Sequence, residues 1–201
     1  MLFLNVFAEW NLKMKKILFM IVLVLSVSGC VSVSPYVLSK SQTSLDLTNN
    51  RGVALFTMKV DNSGGTRFSL MNFMAREVNQ YKPYNTLTAF SLPFLAENYS
   101  ATDNLYFCSA VLGSGIYRLD SFNGMVNVFF GMPHTLKTDK IFDIYPNKIN
   151  YLGRLNFGNL NTQLGFTSLA KIEDAAEQDI LRFKEIFPVL KDKQISKDSF
   201  Y

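Results

Sequence analysis

Two cysteines, Cys30 and Cys108, and one histidine, His134, are the chain's whole supply of thiol and imidazole groups. Any Ser-His-Asp or Cys-His site would have to use His134, which stands beside Pro133 and is expected in a loop between strands. No Gly-x-Ser-x-Gly elbow occurs; Leu112-Gly113-Ser114-Gly115 comes nearest and reads as a turn before a strand. Zinc requires His and Cys clusters that this chain cannot supply. Asp61-Asn62-Ser63 lacks the downstream acidic ligand of a calcium loop, and neither a P-loop nor a dinucleotide fingerprint is present. No catalysis, metal or dissociable cofactor is expected, and a hydrolase built on His134 is the last of the alternatives.

Cys30 stands in a different setting. It closes a segment with a basic start at Lys15-Lys16, an apolar run from Ile17 to Val27, and the small residues Ser28 and Gly29. The run is too short to cross a hydrocarbon core of roughly 30 Å, which takes about 20 apolar residues. It fits the apolar region of an export signal. Small residues let a peptidase approach the backbone, and the thiol is a nucleophile that can be alkylated by a lipid. Val27-Ser28-Gly29-Cys30 resembles the lipobox of bacterial lipoproteins. That resemblance implies a signal peptide over 1–29, removal of that segment, and a covalent lipid anchor (acyl chains such as palmitate) on Cys30. Two or three acyl chains would anchor stably where one does not, at roughly 0.8 kcal/mol per buried methylene. Val31, rather than Asp, follows the cysteine, which by the same resemblance favours the outer membrane, facing the periplasm. Residues 1–13 carry an apolar patch of their own, Leu2–Ala8, ahead of the lysines; Met14 is the expected true start.

The anchor reading reinterprets the charge. Lys13, Lys15 and Lys16 against Glu9 place +2 of the chain's +4 in residues 1–29, which leaves residues 30–201 near +2. The basic balance is therefore poor evidence for nucleic-acid binding, and no nucleic-acid partner is expected. An alkylated Cys30 leaves Cys108 without an intrachain partner; in the run Leu105–Val111 it reads as a small core hydrophobe.

Residues 30–50, rich in Ser, Thr and Asn, read as a lipidated tether, with an early strand at Ser32–Leu38. From Arg51 the pattern is that of strands. Val53–Val60 is nearly continuously apolar, as in a central strand packed on both faces. Strands follow at Thr66–Phe73, Leu87–Leu92 and Asp103–Leu112. Ile116–Phe122 alternates, with Tyr117 and Leu119 on one face and Arg118 and Asp120 on the other. Asn123-Gly124 then predicts a type I′ hairpin into Met125–Phe130. A second hairpin is predicted from Ile141–Tyr145 through Pro146-Asn147-Lys148 into Ile149–Phe157, with Ile149, Tyr151, Gly153, Leu155 and Phe157 on one face. Gln163–Ala170 is the last expected strand.

The period then changes. Ala176, Ile180, Phe183 and Phe187 form one stripe of a helix over about 173–187, with Asp174 and Glu177 as a capping box, Asp179 early for the dipole, and Pro188 as its stop. Residues 191–201 read as a polar tail. The fold class is mainly β, an antiparallel β-sandwich over 51–190 with one C-terminal α-helix packed on it. Gly113-Ser114-Gly115-Ile116-Tyr117-Arg118-Leu119 resembles the Gly-x-Tyr-x-Leu segment of prealbumin-like and immunoglobulin-like sandwich domains, although Ser114 replaces the usual proline. Pro146-Asn147-Lys148-Ile149-Asn150-Tyr151-Leu152-Gly153 is similar to a turn and strand of uncharacterised bacterial lipoproteins.

The chain holds 18 Phe and 9 Tyr. Most are expected to fill a two-sheet core. The irregular stretch 71–99 carries Phe73, Tyr81, Tyr84, Phe90, Phe94 and Tyr99, a candidate partner surface. These features together predict a lipid-anchored, non-enzymatic interaction or structural module bound to another envelope protein. The alternative is a carrier or sensor of an apolar ligand in a sandwich groove.

Overall fold

A computed structural model describes residues 36–61, 68–78, 90–92, 95–98, 103–126, 132–159 and 170–201. They all fall in one unit of the chain, Val33–Tyr201. The protein is mainly β, with two sheets rich in antiparallel pairs and one α-helix among the described residues.

The strands are β1 (Arg51–Asp61), β2 (Phe68–Glu77), β3 (Phe90–Leu92), β4 (Leu95–Asn98), β5 (Asp103–Gly113), β6 (Gly115–Val126), β7 (Met132–Ile144), β8 (Ile149–Asn159), β9 (Lys171–Glu173) and β10 (Ser196–Lys197). The first sheet runs β10-β8-β1-β5-β4, with β9 also paired to β8; the second runs β3-β2-β6-β7. β1 is antiparallel to β5 but parallel to β8, so the first sheet is mixed rather than wholly antiparallel.

Alternation along β1 explains its unbroken apolar run. Ala54, Phe56, Met58 and Val60 point to a core shared with Phe68, Phe73, Leu119, Phe122 and Phe142 of the second sheet. Val53 and Leu55 point the other way, to Phe183, Phe187 and Leu190. The second group belongs to α1 (Ala176–Ile186) and the following 3₁₀ turn, Pro188–Leu190. The first sheet is thus covered on both faces, as a strand without polar alternation requires. Between the sheets Phe56 meets Phe73 and Phe122 edge-on, with ring centroids 5.1 and 6.2 Å apart. Cys108 is fully buried there and forms no disulfide among the described residues. Burial pushes its thiol pKa far up, so it behaves as a hydrophobe.

Neither predicted hairpin forms at its predicted place. β6 passes straight through Asn123-Gly124, which pair with Asn72 and Leu70 of β2 on one side and with Thr135 and His134 of β7 on the other. Glycine is required for a different reason. A Cβ at 124 would strike the Ser69 carbonyl and the Phe68 ring, so Gly124 is where another strand's aromatic ring closes on the backbone. Asn123 faces outward and joins a cross-strand ladder: its Nδ2 donates to Asn72 Oδ1 at 2.9 Å, and Thr135 Oγ1 donates to its Oδ1 at 2.9 Å. Gly124→Ala is expected to cost about 1–3 kcal/mol through overpacking, read as a lower urea midpoint; an unchanged midpoint would contradict this packing.

The turn at Pro146-Asn147-Lys148 is real, with Asn147 at φ +58. It joins β7 of one sheet to β8 of the other, however, so it is a corner and not a hairpin. The predicted single face of β8 is also broken. Leu55 pairs with Tyr151 and Thr57 with Arg154, so β8 holds one extra residue, a bulge at Gly153 with φ +117. Ile149 and Tyr151 face the helix, while Leu155 and Phe157 face the second sheet.

The strand expected at Gln163–Ala170 lies outside the described residues except for Ala170, and the strand that is described starts at Lys171. The helix stripe is present, but no capping box forms. The cap position is Ala175 without a side-chain bond; Asp174, one residue earlier, accepts from the Ala176 N–H at 3.5 Å through Oδ1 and from Lys197 Nζ at 2.6 Å through Oδ2. Residues 36–50 of the expected tether pack onto the first sheet. Leu38 is buried and its N–H donates to Ser109 Oγ at 2.9 Å; of the early strand expected at Ser32–Leu38, residues 32–35 lie outside the described residues, and Tyr36 forms a bridge to Val111. Lys191–Lys193 are exposed, as a polar tail would be. The residues after them are tied to the fold although most stay exposed: β10 joins β8, Phe200 is buried between the sheets, and the Tyr201 backbone bonds both ways to Ile141 of β7.

Candidate functional site

The expected anchor, Cys30 with Val27, Ser28 and Gly29, lies outside the described residues. Of the six aromatics in the candidate partner surface, Tyr81, Tyr84, Phe94 and Tyr99 also lie outside them, and Phe90 is placed by backbone only, opposite Ala75. Phe73 is not on a surface: its ring is buried in the core beside Phe56 and Phe122. His134 stands in β7 rather than in a loop, half-buried, with the Phe68 ring edge-on at 6.3 Å.

What the structure does assemble is a group unforeseen as a unit: Thr57 of β1, Tyr151 and Arg154 of β8, and Asp179 of α1. The Gly153 bulge builds it. Without the extra residue Arg154 would alternate to the far face; with it, Tyr151 and Arg154 share the face under the helix. All four side chains are buried, Asp179 to 1% exposure. Thr57 Oγ1 and Tyr151 OH each donate to Asp179 Oδ2 at 2.5 Å, Arg154 Nε donates to the same oxygen at 3.2 Å, and the Arg154 terminal nitrogen forms an ion pair with Oδ1. Burial, then the bond to Asp179, pushes the Tyr151 pKa well above its ordinary value. Burial alone would lower the Arg154 pKa, but the Asp179 bond and charge outweigh it and hold it above normal. Tyr151 therefore stays protonated and Arg154 charged. Asp179 has both oxygens occupied, which suits a structural ion pair and not a general base.

Arg154 also floors a cleft of about 550 Å³ whose rim includes Glu173, Asp174, Glu177 and Lys197. Three carboxylates there face two cations, each already in an ion pair, with Asp179 and Asp174. Among the described residues no three His, Cys, Asp or Glu side chains gather as a metal site, and no helix is long and apolar enough to cross a membrane. One signal in the sequence could have exposed the cluster: Asp179 lies three residues after Ala176 and four before Phe183, on the apolar stripe itself.

Tyr117 supplies a test of this polar accounting. Its hydroxyl donates to Gly113 O at 3.1 Å, and burial, aided by the Glu77 charge, pushes its pKa from 10.0 to about 12. The neutral form is the one folding favours, so its contribution is complete below pH 10 and is lost as pH rises toward 12. Unfolding free energy is expected to decline over that window, and Tyr117→Phe should flatten part of the decline. An identical pH slope in the variant would contradict the burial of this hydroxyl.

No protein-family model matches the chain, and neither a curated protein nor a solved structure is significantly similar to it. Function must therefore be argued from the residues themselves.

Proposed function

We propose that this chain is a bacterial envelope lipoprotein: a lipid on Cys30 tethers a non-enzymatic β-domain that binds another envelope protein or supports an assembly. The observation that carries this reading is the sequence Val27-Ser28-Gly29-Cys30 behind a basic and apolar leader. Val31 favours the outer membrane, on the periplasmic side. The domain is read as a β-sandwich of immunoglobulin- or prealbumin-like kind, supported by two sheets facing across an aromatic core; the parallel β1–β8 pair is its departure from an all-antiparallel sandwich.

The non-enzymatic reading is supported by the occupied oxygens of Asp179 and by the strand setting of His134. Carriage of an apolar ligand between the sheets is disfavoured by the close ring contacts that fill that space. The test is incorporation of radiolabelled palmitate in cells: label is expected in the wild type and none in Cys30→Ser. Equal label in both, or none in either, would overturn the anchor. Partner binding is tested by recovery from detergent-solubilised membranes against a control made without residues 1–29.

A further inference from the structure

We infer that the end of the domain where the tether enters faces the bilayer, and that the groove between Leu45, Leu47 and Lys148, Lys193 takes the headgroup of an anionic phospholipid of that bilayer. This rests on the reading of Cys30 as lipidated. The groove encloses about 470 Å³, with Leu45, Leu47 and Ile149 as apolar wall and Lys148, Lys193 and Gln194 among its polar lining. Among the described residues no carboxylate lines it, in contrast to the Arg154 cleft. Asp46, between the two leucines, turns its carboxylate to the Thr48 N–H and hydroxyl at 2.9 and 2.7 Å, and those bonds hold it ionised below the usual carboxylate range. Two ammonium groups beside an apolar wall complement a phosphate carrying acyl chains.

Position strengthens the charge argument. The Asn147 N–H donates to Arg51 O at 2.7 Å, the Val53 N–H donates to Lys148 O at 2.8 Å, and the Arg51 guanidinium lies 5.2 Å above the Tyr36 ring. Lys148 lies 5.1 Å above the Tyr145 ring, which is 42% exposed. Groove, Arg51, Tyr36 and Tyr145 therefore share one end of the fold. Tyr36 is the first described residue, and six residues of chain separate it from Cys30, at most about 20 Å when extended. Acyl chains on Cys30 would thus hold this end against the headgroups, where basic side chains are attracted to anionic lipid and tyrosine rings sit comfortably.

The experiment uses the mature lipidated protein in nanodiscs of phosphatidylcholine alone or with one third phosphatidylglycerol. Limited amine acylation is read at Lys148 and Lys193 by peptide mass spectrometry, with Lys137, exposed in mid-β7, as reference. Labelling at the two groove lysines is expected to fall about fivefold in the anionic discs, as roughly 1 kcal/mol per basic residue implies, with Lys137 unchanged. Equal labelling in both discs with the protein still disc-bound would overturn the headgroup site. So would a fall at all three lysines, or equal protection in neutral discs by millimolar inorganic phosphate, which would assign the groove to a free anion. Loss of the protein from both discs would overturn the anchor, and the inference with it.

Discussion

Asp179→Ala is expected to lower the unfolding free energy by about 3–5 kcal/mol, because it strands a buried guanidinium. Domains of this size commonly have only about 5–15 kcal/mol in total, so a large share of the molecule's margin depends on one carboxylate. The substitution leaves Arg154 charged under the helix and removes the acceptor of Thr57 Oγ1 and Tyr151 OH at once. The loss reflects the unpaired partner more than the strength of the pair. Arg154→Met combined with Asp179→Leu, which removes both charges, should therefore recover most of it. The measurement is urea unfolding with a lowered midpoint and unchanged slope. A change within about 0.5 kcal/mol for Asp179→Ala, the range of ordinary surface substitutions, would contradict the cluster.

The second large effect belongs to Phe200. Its ring is 4% exposed and lies 5.6 Å from Phe56 and 5.8 Å from Phe142, one from each sheet. The chain around it bonds to Leu152 and Tyr151 of β8 and to Ile141 of β7. Residues 196–201 therefore stitch the edges of the two sheets together, with Phe200 as the inserted group. Phe200→Ala is expected to cost about 3–5 kcal/mol through lost burial and the cavity left behind. Phe200→Leu should cost clearly less. Hydrogen exchange at the Ile141 amide, which donates to Tyr201 O at 2.9 Å, should rise in the alanine variant; an unchanged rate and midpoint would contradict the clasp.

These two residues also show what the sequence does and does not disclose. The two-sided burial of β1 is legible because a strand covered on both faces cannot alternate. The helix is legible because Ala176, Phe183 and Phe187 keep its period. Asn123-Gly124 misleads because its turn signal is local, while the reason for glycine is Phe68, more than fifty residues earlier. The corner at Pro146-Asn147-Lys148 was readable as a turn, but which sheet receives each strand depends on pairings far along the chain. The bulge at Gly153 shifts the residues that follow it, Arg154 to Asn156, to the opposite face, and nothing in Leu152-Gly153-Arg154 announces that Arg154 must meet a helix carboxylate. Phe200 was hidden by its neighbours: Phe200-Tyr201 after the mostly polar run from Lys191 to Ser199 looks like the end of a solvated tail.

The cluster, the clasp and the filled aromatic core support the proposal of a domain built to persist rather than to react, held at a membrane by Cys30. The most direct test of that claim is the intact mass of the protein extracted from membranes in detergent. The account predicts a chain of residues 30–201 carrying diacylglycerol on the Cys30 sulfur, with a blocked or acylated amino terminus. A mass near 22.8 kDa, that of the full unprocessed chain, with a free Cys30 thiol, would contradict it.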